Sequence, residues 1–464
     1  MARLLDAVSE RDSKIATLQA RVGKLEAENT ELRSRLGQNS QNSGKPPSSD
    51  APGTTSSKTK PSGKSRGGQP GHPGKTRRLL PPDRVTKLST LHPRKCKCCG
   101  SKNLVDPGVD PRVHQTVDMP KPVLDVHETR MHAGDCADCG ERTWATLPQG
   151  TQIHLLGPNI SAFVALLISM RVSRREVQML LADVFELPVS LGALSESEER
   201  IGDALEPSYD EALEHARSRS VKHLDASSWY IAGRLLSLWA IATSLVTVFK
   251  IAPDGKTETV AELMGIVRGI LITDRGSQFG FWAMDKRQIC WAHLLRKWVA
   301  FAEKSDPRAR QLGEQLLLFT QLMFKHWHDF RERRVTRARL AQNMVMVEKA
   351  LVSLLEQGAA LDVRGVSGSC ADVLKHRDAL FTFVRIQGVE PTNNNAERAL
   401  RPFVIWRKTS YGSQSERGCR FSERLMTAAR TLRLQKRSLF AFLANTCSAA
   451  VRGHAPPSLL PTPQ

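Results

Sequence analysis

The sequence predicts an α/β fold with a mixed sheet as its core. Three consecutive segments, VKHLDASSW, YIAGRLLSLWAIATS and LVTVFKIAP, have the alternating or apolar patterns of strands. A helix pattern (TETVAELMGIVRG) then leads to a fourth, mostly apolar strand (GILITDRG), and RQICWA gives a fifth. This order matches a ribonuclease-H-like sheet, which we expect over residues 218–300 and 381–445, with a helical insertion at 301–380.

The composition of the chain limits which binding partners and which cellular compartment we expect. The chain has 464 residues, 40% of them hydrophobic, enough for two or three globular units plus extensions. Its formal net charge of +20 favours nucleic acid as a partner, although a soluble basic protein without one remains open. Nine scattered cysteines do not resemble a secreted disulfide framework. Without a membrane-length apolar run or a signal-peptide core, we expect a cytoplasmic, nucleoid-associated protein that does not enter membranes.

Residues 1–36 have the repeat of a coiled coil. Apolar residues alternate at spacings of three and four, and Arg11 and Asn29 fall in the same register. An Asn at a core position favours an aligned two-stranded coil, so we expect a homo-oligomer. A lone amphipathic helix packed on its own domain is the alternative. The apolar positions are Leu4, Val8, Ile15, Leu18, Val22, Leu25, Leu32 and Leu36.

Residues 37–80 are predicted to form a disordered, basic linker. They are rich in Ser, Pro, Gly and Lys and nearly free of large apolar residues, so burial cannot offset the entropy of ordering them. Between Gly37 and Lys95 there are twelve Lys or Arg and two acidic residues, which suits a DNA backbone but also fits a solvated linker. Residues 446–464 are likewise predicted to be a disordered tail.

Residues 81–150 contain two cysteine pairs with the spacing of zinc knuckles, each closed by a glycine. Four thiolates are the ligands of a structural, tetrahedral Zn²⁺ site, and short strands are expected between the pairs. Cys98 could replace a neighbouring cysteine, and His92 and His132 are close enough in sequence to be alternative ligands. The four proposed zinc ligands are Cys96, Cys99, Cys136 and Cys139.

Residues 151–217 are predicted to be helical. A break at Leu187-Pro188 separates two helix patterns, and Ser190 and Ser195 are candidate N-caps after it. Helix, turn and helix could form a DNA-binding helix-turn-helix. However, the second helix carries the acidic run SESEER, which would repel phosphates, so a helical connector is at least as well supported.

Two aspartates stand at strand ends in the predicted sheet. Asp225 ends the first strand, and Asp274 lies at the carboxyl end of the fourth, where sites form in α/β folds. Strands one and four are neighbours in this order, so the two carboxylates repel each other unless a cation bridges them. Mg²⁺ prefers such oxygen ligands. Taken singly, each aspartate could be an ordinary turn or cap residue.

A third acid follows in PTNNNAERALRP. Thr392 or Asn393 caps a helix whose first turn contains Glu397, although a pair with Arg401 would also explain this glutamate. The surrounding segment has little core and is basic, with eleven Lys or Arg against three acids over residues 397–437. This concentration of charge favours a site over a simple salt bridge.

The same segment offers groups for binding DNA. Trp406 and Tyr411 could stack on bases. The residues proposed to grip phosphates are Arg398, Arg401, Arg407 and Lys408. The helical, Arg-rich residues 301–380 could clamp DNA as well, with a packed spacer as the alternative.

CWAHLLRKW follows the predicted fifth strand. Cys290 and His293 have the spacing of metal ligands on a helix, but the sequence shows no partner pair for them. We therefore expect His293 to lie near the active site as an accessory residue that contacts DNA or orients water.

Together, RGGQPGHPGKTR, the paired C-x-x-C, HLDASSW, LITDRGSQF, CWAHLLRKW and NNNAERALRP resemble the transposases of the insertion sequence 66 family. The resemblance implies a bacterial DDE transposase in which Asp225, Asp274 and Glu397 hold two Mg²⁺ or Mn²⁺ ions. It also implies DNA partners, both terminal inverted repeats and target, with accessory proteins of the same element left open. Two departures, Ala226-Ser227 where the family has Glu-Thr and Asn393 where it has Asp, remove none of these acids.

The expected reaction is metal-assisted attack on phosphodiesters. Hydrolysis at an element end frees a 3′ hydroxyl, which then attacks target DNA. Two other functions stay open at this point. A transposase-derived, non-catalytic DNA-binding protein would need none of the acids, whereas a ribonuclease-H-like nuclease would need neither the coiled coil nor the zinc segment.

Overall fold

The computed structural model describes residues 11–26, 29, 38–39, 42, 71, 79–120, 122–148 and 151–461. The chain divides into two compact units, one formed by Thr55–Glu128 and the other by Met1–Thr54 with Thr129–Gln464. Of the predicted coiled coil, residues 11–26 are helical, and four seam residues there are exposed: Ile15, Leu18, Val22 and Leu25. The rest of that segment and most of the predicted linker lie outside the described residues, so pairing of this helix stays a prediction.

The unit Thr55–Glu128 carries the first cysteine pair on a tight turn. The N–H of Cys96 donates to the carbonyl of Ser101 (2.8 Å), and the N–H of Gly100 donates to the carbonyl of Cys96 (3.0 Å). The described part of this unit contains no strand, so the short strands predicted between the cysteine pairs are wrong here. Apolar side chains of its described residues, such as that of Val123 (92% exposed), are open to solvent.

A hairpin carries the second cysteine pair in the larger unit. Strands β1 (Ala133–Asp135) and β2 (Arg142–Trp144) are antiparallel. Their connection repeats the first turn: the N–H of Cys136 donates to the carbonyl of Glu141 (2.9 Å), and that of Gly140 donates to Cys136 (2.8 Å). Both cysteine pairs thus lie on turns of the same kind.

Helices fill the next part of this unit: α1 (Pro158–Ser169), α2 (Arg174–Phe185), α3 (Leu191–Ala204) and α4 (Glu206–Ser218). Ser190 is the N-cap of α3, and its hydroxyl accepts from the N–H of Ala193 at 3.0 Å. Ser195 lies inside α3, so the prediction that it could be a cap is wrong. The helix already begins at Leu191 because Ser190 satisfies a free N–H of its first turn.

The acidic run on α3 is used inside the protein. Glu198 is buried and accepts two hydrogen bonds from the Arg174 guanidinium, at 2.5 and 2.6 Å. Glu199 accepts another from Arg417, far along the chain. These pairs tie α3 to α2 and to the C-terminal helices, which favours the helical connector over a DNA-reading helix.

The sheet has five strands in the order β5-β4-β3-β6-β7. Strand β4 is antiparallel to both β3 and β5, whereas β3, β6 and β7 run parallel. Helix α5 (Thr257–Met264) makes the crossover from β5 to β6. The predicted adjacency of the first and fourth strands is confirmed. The strands are β3 (Val221–Ile231), β4 (Arg234–Ala242), β5 (Thr247–Ala252), β6 (Ile270–Thr273) and β7 (Arg287–Ile289).

The first strand of this sheet is longer than the sequence predicts. It runs to Ile231, and the two-residue turn Ala232-Gly233 leads into β4. Both turn residues have positive φ, 46° and 83°, as a tight hairpin turn requires. Asp225 therefore lies inside β3 and does not end it, because pairing with β4 continues past the point where β6 stops.

Helices pack against both faces of the sheet. On one face Leu224 and Ile241 share a core with α1 to α4, whereas Phe249 and Ile272 on the other face pack with later helices. The later helices are α6 (Trp291–Ala302), α7 (Pro307–Arg331), α8 (Arg337–Ala360), α9 (Ser367–Leu374), α10 (Thr382–Arg385), α11 (Asn394–Ser410), α12 (Glu416–Leu434) and α13 (Leu439–Val451). Among the described residues, none of these helices combines the length and apolarity that crossing a membrane requires.

Helices α7 to α9 occupy most of the segment that was predicted as a helical insertion. Their apolar residues, among them Leu316 and Leu351, share one core with Ile272 of β6, Ile289 of β7 and Trp298 of α6. This shared core supports the packed spacer, and contact of these helices with DNA stays a prediction.

Helix α12 covers the edge strand β5. Three side chains spaced one helical turn apart, Glu423, Thr427 and Thr431, accept hydrogen bonds from the outward N–H groups of Ile251 (2.5 Å), Phe249 (3.0 Å) and Thr247 (3.1 Å). An uncovered edge would offer these groups to another strand. The helix therefore closes this side of the sheet through side chains, without adding a strand.

The C-terminal residues correct the predicted disordered tail over 446–464. Helix α13 extends to Val451, and Leu459 is 1% exposed within the larger core. The Arg437 guanidinium donates to the carbonyls of Ser458 (3.0 Å) and Leu459 (3.2 Å). The prediction is wrong up to residue 461, because local composition cannot show that Leu459 packs into a distant core.

Candidate active site

Strands β3 and β6 bring Asp225 and Asp274 to the same level of the sheet. Their parallel register pairs His223 with Ile272, and continuing it by two residues sets Asp225 against Asp274. Neighbouring strands lie about 4.8 Å apart, so the two side chains start from adjacent backbone positions. Asp274 follows β6 directly, and its Oδ1 accepts from the N–H of Gly276 at 2.9 Å. The structure thus brings together the two aspartates that the sequence paired.

Arg287, on β7, holds the segment that carries Asp274. Its guanidinium, 1% exposed, donates to Thr273 Oγ1 (3.1 Å) and to the Asp274 carbonyl (3.2 Å). It also lies over the ring of Phe279, 5.6 Å from the centroid. Sequence reasoning missed this residue, although an arginine at the start of a short strand that leads into the apolar Ile289 was a signal for it.

Helix α11 lies along β3 and carries Glu397 in its first turn. Alternate residues of a strand face the same side. His223 Nδ1 lies 3.2 Å from Asn393 Oδ1 at the start of the helix, and aromatic rings of the two elements pack at the other end, with centroids 5.2 Å apart. Asp225 and Glu397 both lie between these two contacts. The third acid therefore comes to the same region as the first.

Asn393 joins three elements at this point. Its buried side chain donates from Nδ2 to the Leu224 carbonyl of β3 (2.9 Å), and its N–H donates to Cys290 Sγ before α6 (3.1 Å). Its own carbonyl accepts from the N–H of Glu397 at 3.2 Å. Asn393 is the N-cap of α11, but its side chain makes no cap hydrogen bond. Sequence reasoning saw only the cap and missed this positioning role.

Helix α6 places His293 beside the third acid. His293 Nδ1 lies 3.7 Å from Glu397 Oε1, in agreement with the expectation that this histidine is near the acids. Ligand atoms of Cys290, His293 and Glu397 all lie within 4.8 Å of one another. The two residues that had no partner in the sequence thus meet a third donor from a distant helix. Burial raises the pKa of the Cys290 thiol to about 11.

Burial and like charges act together on Asp225. Burial raises its pKa to about 7, and the negative charges of Glu397 and Asp274 add to the rise, although a hydrogen bond from the N–H of Ala226 (2.9 Å) opposes it. Burial lowers the pKa of His293, and the Arg296 cation lowers it further. By itself, the site therefore leaves Asp225 partly protonated near pH 7 and favours the neutral form of His293.

Three of the four residues proposed to contact DNA are exposed on α11. Arg398, Arg401 and Lys408 lie at spacings of three and seven, on one face of the helix. Arg407 instead turns back to β3 and donates to Ser227 Oγ at 3.3 Å. It is one residue before Lys408, which rotates it by about 100° around the helix and away from that face. Its proposed role in gripping DNA is therefore corrected to an internal contact.

The two aromatic residues proposed to stack on bases differ. Trp406 is half-buried and packs against Trp229, with ring centroids 6.0 Å apart, and against Phe403 (5.8 Å). Tyr411 is 80% exposed and ends α11 in the left-handed conformation, with a φ of 57°. Of the two, Tyr411 has the face that is free for stacking.

Each pair of the four proposed zinc ligands lies on its own turn. Hydrogen bonds from the backbone of Cys99 lower the pKa of the Cys96 thiol, and those from Cys139 lower that of Cys136. Each turn thus favours a thiolate, the form that binds zinc. The pairs belong to the two units described separately, so a joint Zn²⁺ site stays a prediction, with Cys98, His92 and His132 as the alternative ligands.

Comparison with known proteins matches two parts of the chain. Residues 3–78 match a family of unknown function, DUF6444. No curated protein matches the chain. Residues 170–421, more than half of the chain, match the model described as Transposase IS66 family, and this span includes the sheet, Asp225, Asp274 and Glu397. The chain therefore belongs to the IS66 family of transposases.

Proposed function

We propose that this chain cleaves DNA at the ends of an insertion sequence and joins those ends to target DNA, using metal ions held by Asp225, Asp274 and Glu397. The placement of three acids on adjoining elements, β3, the residue after β6 and the first turn of α11, is the observation that carries this proposal. Their oxygens do not form one group within 4.8 Å among the described residues, but Glu397 and Asp274 are close enough to raise the pKa of Asp225. The sheet order β5-β4-β3-β6-β7, with β4 running against the other strands, supports a ribonuclease-H-like core.

The three acids suit a divalent cation. Carboxylate oxygens are the ligands that Mg²⁺ and Mn²⁺ prefer, and the buried Oε1 of Glu397 has no hydrogen-bond partner among the described residues. The like charges that raise the pKa of Asp225 also favour a bound cation. When bound, such ions activate the attacking hydroxyl and stabilise the charge on the attacking and leaving oxygens.

The chain's own groups would bind and orient the DNA. Arg398, Arg401 and Lys408 form a basic face on the helix that carries Glu397, so phosphates held there lie close to the acids. The helix starts of α6 and α11 are joined beside Glu397, and the positive ends of their dipoles favour a phosphate. Water would be the nucleophile in the first step and a DNA 3′ hydroxyl in the second, so no covalent protein–DNA intermediate is required.

The remaining segments would serve assembly. One structural Zn²⁺ would be held by Cys96, Cys99, Cys136 and Cys139, and the helix within residues 1–36 would pair two protomers so that both ends of the element are held together. Terminal inverted repeats and target DNA are the proposed partners, and a need for accessory proteins of the same element is left open.

A strand-transfer reaction with the full chain, labelled terminal-repeat DNA and Mg²⁺ or Mn²⁺ tests the proposal. The variants Asp225→Asn, Asp274→Asn and Glu397→Gln should each slow joining at least about a thousandfold, equivalent to about 4 kcal/mol, while still binding DNA. Glu258→Gln, at an exposed acid on α5, is the matched control and should keep the wild-type rate.

Other outcomes would support other functions. Cleavage without joining would indicate a ribonuclease-H-like nuclease. DNA binding without either reaction, unchanged by Asp225→Asn, would indicate a non-catalytic DNA-binding protein descended from a transposase. Equal rates for the control and all three acid variants would overturn the assignment of the acids.

A further inference from the structure

A second set of metal-ligand donors adjoins the three acids. Cys290 is the N-cap of α6, His293 lies in the first turn of that helix, and Glu397 lies in the first turn of α11. Two hydrogen bonds join the helix starts: the N–H of Trp291 donates to the Pro391 carbonyl (2.9 Å), and a backbone N–H of the α11 cap donates to Cys290 Sγ (3.1 Å). Segments far apart in the sequence are thus held in one rigid arrangement.

Two of these donors form a loose ion pair and have no hydrogen-bond partner among the described residues. His293 Nδ1 and Glu397 Oε1 are buried atoms that have no hydrogen bond among the described residues, and they lie 3.7 Å apart. Buried polar atoms in folded proteins are nearly always paired, so two facing atoms of this kind indicate a missing ligand. A cation between them would satisfy a lone pair of the imidazole nitrogen and one of the carboxylate oxygen together.

We propose that Cys290, His293 and Glu397 bind a transition-metal ion of the zinc class. This site is distinct from the proposed magnesium site of the three acids, but Glu397 is a ligand in both. A thiolate, an imidazole and a carboxylate favour Zn²⁺ strongly over Mg²⁺. The three ligand atoms lie within 4.8 Å of one another. Tetrahedral zinc needs ligand separations of about 3.3–3.8 Å, given bonds of about 2.0–2.3 Å. The 3.7 Å between His293 Nδ1 and Glu397 Oε1 already lies in this range.

The surroundings of Cys290 fit this role. Its Sγ accepts the N–H of Asn393 at 3.1 Å, the kind of hydrogen bond that orients a metal-bound thiolate. Cys370, Cys419 and Cys447 are also buried, but the only three-residue group of ligand atoms found among the described residues includes Cys290. Three protein ligands would leave a fourth position of the zinc open to water or to DNA.

Binding at this site would remove Glu397 from the acid cluster. Zn²⁺ would then inhibit strand transfer at a fixed Mg²⁺ concentration, and His293→Gln would make the reaction less sensitive to zinc. This consequence rests on the proposed function, whereas zinc binding itself does not. The site would thus make the transposase responsive to free zinc through one of its own acids.

Zinc content of the full chain, measured after equilibration with a zinc buffer, tests the binding site. Cys290→Ser and His293→Gln should each hold one equivalent of zinc less than wild type. Cys370→Ser, at a buried cysteine outside the group, and Asp274→Asn, at an acid outside it, should keep the wild-type content. With Co²⁺ in place of zinc, the thiolate-to-cobalt absorption should fall in Cys290→Ser and stay unchanged in Cys370→Ser.

An anomalous diffraction map recorded at the zinc edge for wild type checks the position without any substitution. A peak among Cys290 Sγ, His293 and Glu397 supports the site, and a map of zinc-soaked crystals without it overturns the site.

Equal zinc content in wild type, Cys290→Ser and His293→Gln also overturns the site. Loss of the equivalent in Asp274→Asn would move the ion to the three acids. If Asp274→Asn has lost strand transfer but keeps its zinc, both proposals are supported. If it keeps both strand transfer and zinc, only the proposed function is overturned.

Discussion

Two carboxylates of this protein have neighbours of opposite charge. Glu423 of α12, 1% exposed, accepts from the Ile251 N–H (2.5 Å) and from Arg420 (2.9 Å), with Lys250 Nζ 3.6 Å away. Asp225 of β3 has one N–H donor, and two further acids are near it. Burial raises the pKa of both groups, but the cations oppose that rise at Glu423 whereas the acids add to it at Asp225.

The difference separates a structural carboxylate from one that is proposed to bind a metal ion. At Glu423 the fold supplies the partners for a buried charge, so the group closes the edge of the sheet and needs nothing from outside. At Asp225 the fold brings like charges together, which destabilises the isolated protein and is offset only when a cation binds. The four predictions that follow test this contrast.

The largest effect is expected when the paired carboxylate is removed. Glu423→Ala should lower the free energy of unfolding by about 3–5 kcal/mol, because it leaves two cations and a buried N–H without their acceptor. Urea denaturation of the full chain measures this loss. Glu416→Ala, at an exposed position of the same helix, should lose less than about 1 kcal/mol. Equal losses in the two variants would contradict the structural role of Glu423.

The carboxylate that lies near other acids should make the stability of the protein depend on pH. Because the pKa of Asp225 is about 7 when folded, above its ordinary 3.8, its contribution is fully present below pH 4 and is lost as pH rises through 7. Without divalent cations, wild type should lose at most about 4 kcal/mol relative to Asp225→Asn over that window, which unfolding curves at several pH values would show. Parallel pH profiles for the two proteins would rule this out.

Divalent cations should restore the stability that is lost through repulsion between the acids. At Mg²⁺ concentrations of about ten to a hundred times Kd, wild type should gain about 1–3 kcal/mol of stability, because the ion binds only the folded site. Thermal unfolding with and without Mg²⁺ measures the gain. Asp225→Asn should gain much less, whereas Glu423→Ala should gain as much as wild type. A full gain in Asp225→Asn would place the stabilising ion elsewhere.

The smallest effect is expected for an ion pair at the surface. Arg417 donates to Glu199 at 2.5 Å, but solvent reaches both side chains, which are 54% and 40% exposed. Arg417→Ala should therefore change the free energy of unfolding by less than about 1 kcal/mol. A loss as large as that of Glu423→Ala would show that pairing geometry, and not burial, decides the energy of these groups.

The sequence by itself predicted which two strands are neighbours and which elements carry the three proposed acids. Alternation along VKHLDASSW and the apolar run before Asp274 predict two neighbouring strands, because periodicity reflects which side of a strand is buried. A helix beginning near Asn393 placed Glu397 in its first turn. Each cysteine turn is closed by a glycine, and Gly100 and Gly140 both have the positive φ that such a turn favours. These features depend on neighbours in the chain, so local patterns carry them.

Only the tertiary structure decided how distant segments meet. It extended β3 past Asp225, turned Arg407 back to that strand and packed Leu459 into the core. It also gave Asn393 three partners and brought Cys290 and His293 to Glu397. Each of these depends on contacts between residues far apart in the chain, and a local pattern of charge and hydrophobicity does not specify such contacts.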